Sequence, residues 1–213
     1  MNRKQKICIT GGIGYLGSEL CKLYSGEARY KDITVIDNRF VSERVKQLSD
    51  WGIKFLHGDI RDKEFMEKAL EGADVVYHLA SITDVAYTKK HETEEKELLI
   101  NSVGIDGLQN VIQFISKECK LLFPSSHTVY DGLQNTMFDI QEEETPQPGL
   151  MYSGMKSKSE EIIRDSINNH IIVRLGSVYG YSTDTMRINI MPTLVSKITS
   201  QDGIISLFGG GVQ

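Results

Sequence analysis

A tyrosine and a lysine stand four residues apart in the stretch Tyr152-Ser153-Gly154-Met155-Lys156. On a helix, residues with this spacing are neighbours on one face, so the phenol and the ammonium would lie side by side. A phenol can act as a general acid and base near neutral pH only if its pKa falls, and a nearby ammonium favours the phenolate. Ser126 follows an apolar run that predicts a strand, so its hydroxyl can meet a substrate oxygen beside Tyr152. Alone, such a pair is usually a coincidence on a surface helix, and such a serine usually caps a turn.

A second group of residues surrounds the first predicted strand. The apolar run Ile7-Cys8-Ile9-Thr10 indicates a strand buried on both faces, and Gly11, Gly14 and Gly17 follow it before a helical pattern begins. Such glycines let a phosphate approach the backbone closely and bind the N–H groups of the helix N-terminus. Asp37 ends the next apolar run, 20 residues after Gly17, where a carboxylate can bind the ribose of a dinucleotide. The pattern predicts a dinucleotide site, and a merely structural glycine turn is the alternative.

These two groups of residues together suit one kind of chemistry. The glycine turn, Asp37, Ser126, Tyr152 and Lys156 occur in this order, which suits hydride transfer between a sugar or alcohol carbon and NAD. Asp37 would repel the 2′-phosphate of NADP and accept hydrogen bonds from a free 2′-hydroxyl, so we expect NAD rather than NADP. Arg39 nearby weakens that expectation.

Strand and helix patterns alternate along the chain, which determines how these residues would be positioned. The alternation predicts an α/β fold: a Rossmann-like, doubly wound parallel sheet with helices on both faces. We expect residues 1–185 to form the NAD-binding domain with the catalytic residues, and residues 186–213 to begin a smaller C-terminal substrate domain. The helical patterns cover Ser18–Leu23, Glu43–Trp51, Lys63–Leu70, Glu92–Lys120, Tyr152–Asn169 and Pro192–Thr199. A last strand is predicted at Ile204–Phe208.

Composition excludes several classes of function. A net charge of −5 argues against broad affinity for nucleic acid, and 40% hydrophobic with 25% charged residues is typical of a soluble globular protein. No apolar run approaches the length of a membrane span, and no signal region follows the first residues, so we expect no membrane association. Cys8, Cys21 and Cys119 lie in apolar patterns without metal-ligand spacing, which predicts buried thiols, no metal and a cytoplasmic protein.

The combined motifs resemble the extended short-chain dehydrogenase/reductase family, specifically its NAD-dependent epimerase/dehydratase group acting on nucleotide sugars. The matching segments cover nearly the whole chain. They are Thr10–Gly17, Val35–Asn38, Gly58–Asp62, His78–Ala80, Asn101–Gly104, Ser125–Tyr130, Tyr152–Lys156 and Arg174–Gly180.

The resemblance implies NAD as cofactor and a nucleotide sugar as substrate. It is also compatible with a homodimer. It implies that Ser126, Tyr152 and Lys156 are catalytic, and that Ser126, Ser177 and Asn189 contact the substrate. The implied cofactor-binding residues are Gly11, Gly14, Tyr15, Leu16, Gly17, Asp37, Asn38, Asp59, Ile60, Leu79, Ala80, Ser81, Tyr152 and Lys156.

The resemblance leaves the reaction open. Decarboxylases and 4,6-dehydratases of this group carry an acid where this chain has Thr128, which favours a 4-epimerase over a dehydratase or a dehydrogenase/reductase. Ser177 replaces an asparagine of many relatives, and Asn189 lies in a segment that could compensate. The sequence stops at Gln213, before an arginine-bearing stretch that grips the nucleotide, so we expect either a fragment or a natural protein without a full sugar site. A non-catalytic NAD-binding regulator is the alternative from another class.

Overall fold

Six parallel strands form one sheet in the computed structural model, which describes residues 3–83, 93–134, 139–178 and residue 182. The strands are β1 Gln5–Thr10, β2 Lys31–Asp37, β3 Lys54–His57, β4 Val75–His78, β5 Lys120–Ser126 and β6 His170–Leu175. Their spatial order is β3-β2-β1-β4-β5-β6, and every neighbouring pair is parallel. The chain therefore reverses its direction of winding between β1 and β4, which confirms the predicted doubly wound sheet.

Helices cover both faces of this sheet. They are α1 Tyr15–Tyr24, α2 Ser42–Asp50, α3 Lys63–Leu70, α4 Glu94–Asn101, α5 Gly107–Phe114 and α6 Met151–Ser166. Because successive strand residues point to opposite faces, Ile7 and Ile9 of β1 join one buried cluster with Cys21 of α1. Cys8 between them joins a second cluster with Leu108 of α5. The two cores, one on each face, make β1 a fully buried central strand.

The longest predicted helix differs most from the prediction. The pattern over Glu92–Lys120 forms α4 and α5 with a π-helical turn, Ser102–Asp106, between them, and α5 already ends at Phe114. Gly104 in this turn lies so close to α6 that an added Cβ would be 2.6 Å from Met155 Cγ. The turn therefore accommodates the approach of α6.

Other boundaries differ by a few residues. Helix α6 ends at Ser166 instead of Asn169, because Ile167 turns to extended backbone and is buried in the core. Asp62 caps α3 as predicted, since its carboxylate accepts the N–H of Phe65. The predicted helix Pro192–Thr199, the strand Ile204–Phe208 and the rest of residues 186–213 lie outside the described residues.

The three cysteines are buried and free, as predicted. Within the described ranges, no helix combines the length and apolar character needed to cross a membrane. In the same part of the chain, histidine, cysteine and acidic side chains form no group of three or more that could hold a metal ion.

Candidate active site

The predicted phosphate-binding turn joins β1 to α1. Gly11 has φ +70°, and an added Cβ would lie 2.7 Å from the N of Ala80. A Cβ on Gly17 would lie 2.5 Å from the Cα of Gly12, so neither position admits a side chain without rearrangement. Helix α1 begins at Tyr15, and the N-cap residue Gly14 has no side chain to bond the first N–H groups. These N–H groups and the helix dipole form a site suited to a phosphate.

Asp37 lies at the carboxyl end of β2, beside this turn. Its Oδ2 accepts the N–H of Ile13 at 3.2 Å, and its Oδ1 accepts the N–H of Arg39 at 3.0 Å. The carboxylate is nearly buried, and the Arg39 Nε lies 3.6 Å from Oδ1. Arg44 of α2 donates to the carbonyl of Ile13. Asp37 and Arg44 thus hold the same residue of the turn from two sides, a structural role that the sequence pattern did not reveal.

Asn38 directly follows Asp37 at the end of β2, and Asp59 and Ile60 follow the end of the neighbouring strand β3. Asn38 is exposed, and its backbone carbonyl oxygen lies 3.0 Å from His57 Nε2. Asp59 pairs with Arg61 at 2.6 Å, and this hydrogen-bonded pairing holds the pKa of Asp59 below its usual value. The side chain of Ile60 is buried in the core, where a Cβ on Gly107 would lie 2.8 Å from its Cγ1.

The end of β4 is held to β1 by a buried threonine. Thr10 Oγ1 lies 2.8 Å from His78 Nδ1 and accepts the N–H of Ala80 at 3.3 Å. The Leu79 N–H bonds the carbonyl of Thr10 at 3.1 Å, and Leu79, Ala80 and Ser81 are half-buried. Burial, and then the charge of Lys156, lower the pKa of His78 to about 3, so this histidine is neutral. Sequence reasoning gave His78 no role.

Ser126 ends β5 and is nearly buried. Its Oγ accepts the N–H of Thr128 at 3.2 Å and the hydroxyl of Thr128 at 2.9 Å. These bonds occupy both acceptor positions of the serine hydroxyl, so Ser126 remains available as a hydrogen-bond donor.

Lys156 is buried on α6, one turn after Tyr152. Its Nζ donates to the carbonyl of Pro124 at 2.8 Å and lies 4.4 Å from the ring centroid of Phe123. The same nitrogen lies 5.7 Å from the ring centroid of Tyr152, which confirms that the phenol and the amine are neighbours. Burial lowers the pKa of Lys156 to about 7, and the charge of Glu160 opposes this shift.

The first turn of α6 is tied to the segment that follows Ser126. Asp131 accepts hydrogen bonds from the hydroxyl of Ser153 at 2.9 Å and from the N–H of Gly149. Asp131 therefore ties the segment that follows Ser126 to the first turn of α6, which carries Tyr152, and no local sequence signal pointed to it.

Two of the three predicted substrate residues, Ser126 and Ser177, lie within the described residues. Ser177 is exposed just beyond β6, and Asn189 lies outside the described residues. The strand ends therefore gather the predicted cofactor and catalytic residues at one edge of the sheet, with a donor hydroxyl, a phenol and a buried amine that suit acid–base chemistry on a hydroxyl group.

Comparisons with known proteins agree with this geometry. The sequence profile of the 3-beta hydroxysteroid dehydrogenase/isomerase family matches residues 8–188. UDP-glucose 4-epimerase of Mycoplasma genitalium is 28% identical over 166 residues, which are 77% of this chain and 48% of that protein. The 3 beta-hydroxysteroid dehydrogenase/Delta 5-->4-isomerase of Monkeypox virus is 26% identical over 185 residues, 80% of this chain and 49% of that protein.

The solved structures show the same fold. The Bordetella bronchiseptica enzyme WbmG, in complex with NAD and UDP, superimposes with a TM-score of 0.75 at 23% identity, over 92% of this chain and 60% of that one. This chain spans about half the length of the curated relatives it matches. Because the family profile covers most of its residues, the chain belongs to the 3-beta hydroxysteroid dehydrogenase/isomerase family, among the extended short-chain dehydrogenases/reductases of the NAD-dependent epimerase/dehydratase type.

Proposed function

We propose that this chain is the cofactor-binding and catalytic part of an NAD-dependent nucleotide-sugar epimerase that acts at sugar C4. The observation that carries the proposal is the placement of Tyr152 and Lys156 on α6 together with Ser126 at the end of β5. A protein that only sensed NAD would need neither the acid–base function of Tyr152 nor the hydroxyl of Ser126.

The glycine turn fits the cofactor. An uncapped helix N-terminus, two glycines that admit no Cβ and a nearly buried carboxylate at the end of β2 form a continuous set of groups for a pyrophosphate and a ribose. Gly11, Gly14 and Gly17 would hold the pyrophosphate with the backbone of Tyr15 and Leu16. Asp37 and Asn38 would bind the adenosine ribose, and Asp59 with the backbone of Ile60 would flank the adenine. These residues would hold NAD, and the bound cofactor would supply reversible hydride transfer with the sugar carbon.

The chain's own residues would move the proton. Tyr152, as the phenolate, would take the proton of the sugar hydroxyl and later give it back. The Lys156 ammonium would stabilise the phenolate and bind the cofactor ribose. Ser126, whose acceptor positions are filled by Thr128, would donate to the developing keto oxygen.

Thr128 distinguishes the proposed reaction from elimination. A 4,6-dehydratase would use a carboxylic acid at this position, and a hydroxyl that already donates to Ser126 cannot supply that acid–base function. Relatives with dehydratase and decarboxylase names show how close these reactions are within the group.

Oxidation of a 3β-hydroxysteroid is a second candidate, because the matched family profile and the poxvirus relatives bear that name. The same tyrosine, lysine and serine would serve it, since the chemistry is again removal of a proton and a hydride from a secondary alcohol. The two candidates differ in the net redox change.

An assay of the full-length protein with UDP-, dTDP-, GDP- and CDP-sugars and with a 3β-hydroxysteroid tests the proposal. We expect epimer formation from a nucleotide sugar without added oxidant. Stoichiometric NADH release with the steroid, or a 4-keto-6-deoxy sugar product, would refute it. Tyr152→Phe should abolish turnover and leave NAD binding intact. Tyr24→Phe removes a hydroxyl that lies 2.7 Å from the hydroxyl of Tyr77, and this variant should retain turnover.

A further inference from the structure

Glu160 lies one helical turn after Lys156 on α6 and is completely buried. Carboxylates are rarely buried in this way unless cations pair with them. Arg174 of β6 donates through Nε to Oε1 at 3.0 Å and through Nη2 to Oε2 at 2.7 Å, and Arg164 donates to Oε2 at 2.8 Å. No step of the proposed reaction uses this carboxylate.

Arg174 also makes hydrogen bonds near the end of β5. Arg174 Nη1 donates to the hydroxyl of Tyr130 and, at 3.0 Å, to the carbonyl of Glu142. The guanidinium carbon of Arg174 also lies 5.2 Å from the ring centroid of Tyr130. Tyr130 ends the 3-10 turn that carries Thr128. One buried ion pair therefore joins α6, β6 and the turn next to Ser126.

The charges around Lys156 come from few groups. Strand β5 presents the ring of Phe123, and β4 presents His78, which is neutral. On α6 itself, Tyr152 lies one turn before Lys156 and Glu160 one turn after it. Arg164 and Arg174 pair with Glu160. Among the described residues, Glu160 is thus the anionic group that acts on Lys156.

We propose that Glu160, held in place by Arg174, is a positioning residue that keeps the Lys156 amine protonated beside Tyr152. This role of Glu160 rests on the proposed function, in which Lys156 must be cationic to stabilise the phenolate of Tyr152. Its test does not require that function.

The electrostatics support this role. Burial alone would raise the pKa of Glu160, but the hydrogen bonds and the charge of Arg174 outweigh burial and hold the pKa below its usual value. The carboxylate is therefore ionised at neutral pH. Burial drives the pKa of Lys156 down to about 7, so the opposing charge of Glu160 decides whether the amine is protonated near neutrality.

The test is an NMR titration of Lys156 in the intact chain with ¹³C-labelled lysine, with Lys156→Arg to assign the signal. Glu160→Gln keeps the shape of the side chain and removes its charge. We expect Lys156 to titrate about one pH unit lower in this variant. Glu161→Gln is the matched control, because Glu161 is exposed and pairs with Lys158, so the titration should stay unchanged.

Two further variants guard against a folding defect, since Glu160→Gln removes the negative charge that pairs with the half-buried Arg174. The double variant Glu160→Gln, Arg174→Gln removes both charges and should still lower the midpoint of Lys156, by a smaller amount. Glu160→Asp keeps the negative charge and should return the midpoint toward that of the unchanged chain. An unchanged midpoint in both Gln variants would overturn the proposal, whatever the substrate of the enzyme proves to be.

Discussion

Thr128 donates two hydrogen bonds to the same oxygen atom, Ser126 Oγ, one from its hydroxyl at 2.9 Å and one from its N–H at 3.2 Å. A serine hydroxyl has two acceptor positions and one proton. With both acceptor positions filled by Thr128, the proton of Ser126 can be donated to another group, which in the proposed function is the oxygen of the substrate.

Replacing Thr128 by Val should therefore weaken catalysis without affecting cofactor binding. The variant loses the hydroxyl donor and keeps the N–H donor, so we expect kcat to fall about tenfold, the effect of one hydrogen bond. Thr128→Ser keeps the hydroxyl and should stay near the original rate. Steady-state kinetics of the full-length protein measure both, and a Val variant as fast as the Ser variant would contradict the assigned geometry.

Asp37 should set the preference for NAD over NADP. Asp37→Asn removes the charge that repels a 2′-phosphate and keeps one oxygen, which can accept the N–H of Ile13 or that of Arg39. We expect the ratio of the dissociation constant for NADP to that for NAD to fall about tenfold. Fluorescence titration of the chain with each cofactor measures this, with Asp32→Asn, an exposed acid at the other end of β2, as control. Tighter binding of NADP than of NAD by the unchanged chain would refute the assignment.

Substitution by alanine should change the free energy of unfolding in opposite directions at two helical glycines, Gly17 and Gly154. A Cβ on Gly17 would lie 2.5 Å from the backbone of Gly12, so Gly17→Ala should destabilise the fold by about 1–3 kcal/mol and weaken NAD binding. A Cβ on Gly154 of α6 meets no heavy atom within 4 Å, so Gly154→Ala should stabilise it by up to about 1 kcal/mol. Urea unfolding of both variants measures these changes in the free energy of unfolding. Equal changes in the two variants would show that the close packing of the turn does not constrain Gly17.

His78 should make the protein less stable as the pH falls. Its pKa is about 3 in the folded chain, so below about pH 6.5 the unfolded chain binds a proton that the folded chain does not. The free energy of unfolding therefore drops by up to about 1.4 kcal/mol per pH unit in this window from this group alone. Urea unfolding between about pH 5 and pH 7 should show a smaller slope for His78→Gln than for the unchanged chain.

Local sequence patterns account for the alternation of strands and helices, for the glycine turn and for the shared helix face of Tyr152 and Lys156. A strand, three spaced glycines and a helix are contiguous, and Tyr152 and Lys156 share one helix face because they are four residues apart. Each of these relationships is set within a few residues of chain, so the sequence predicts it correctly.

The features that the sequence did not predict depend on contacts between distant segments. The π-helical turn around Gly104 adapts to Met155 of α6, and no helix propensity records that contact. Glu160 belongs to a helix rich in charged residues and looks like a surface residue until Arg174 of the neighbouring strand is placed against it. The pairing of Asp131 with Ser153 likewise spans 22 residues of chain.

The order of the strands also sets a length. Asp37 ends β2 and Ser126 ends β5, with β1 and β4 between them. Neighbouring strands lie about 4.8 Å apart, so three spacings separate β2 from β5 by about 14 Å. In the proposed function, a ligand with its ribose at Asp37 and its reactive ring at Ser126 would have to extend across four strand ends. The width of the sheet between β2 and β5 thus sets the distance between the proposed ribose-binding residue, Asp37, and the proposed catalytic residue, Ser126.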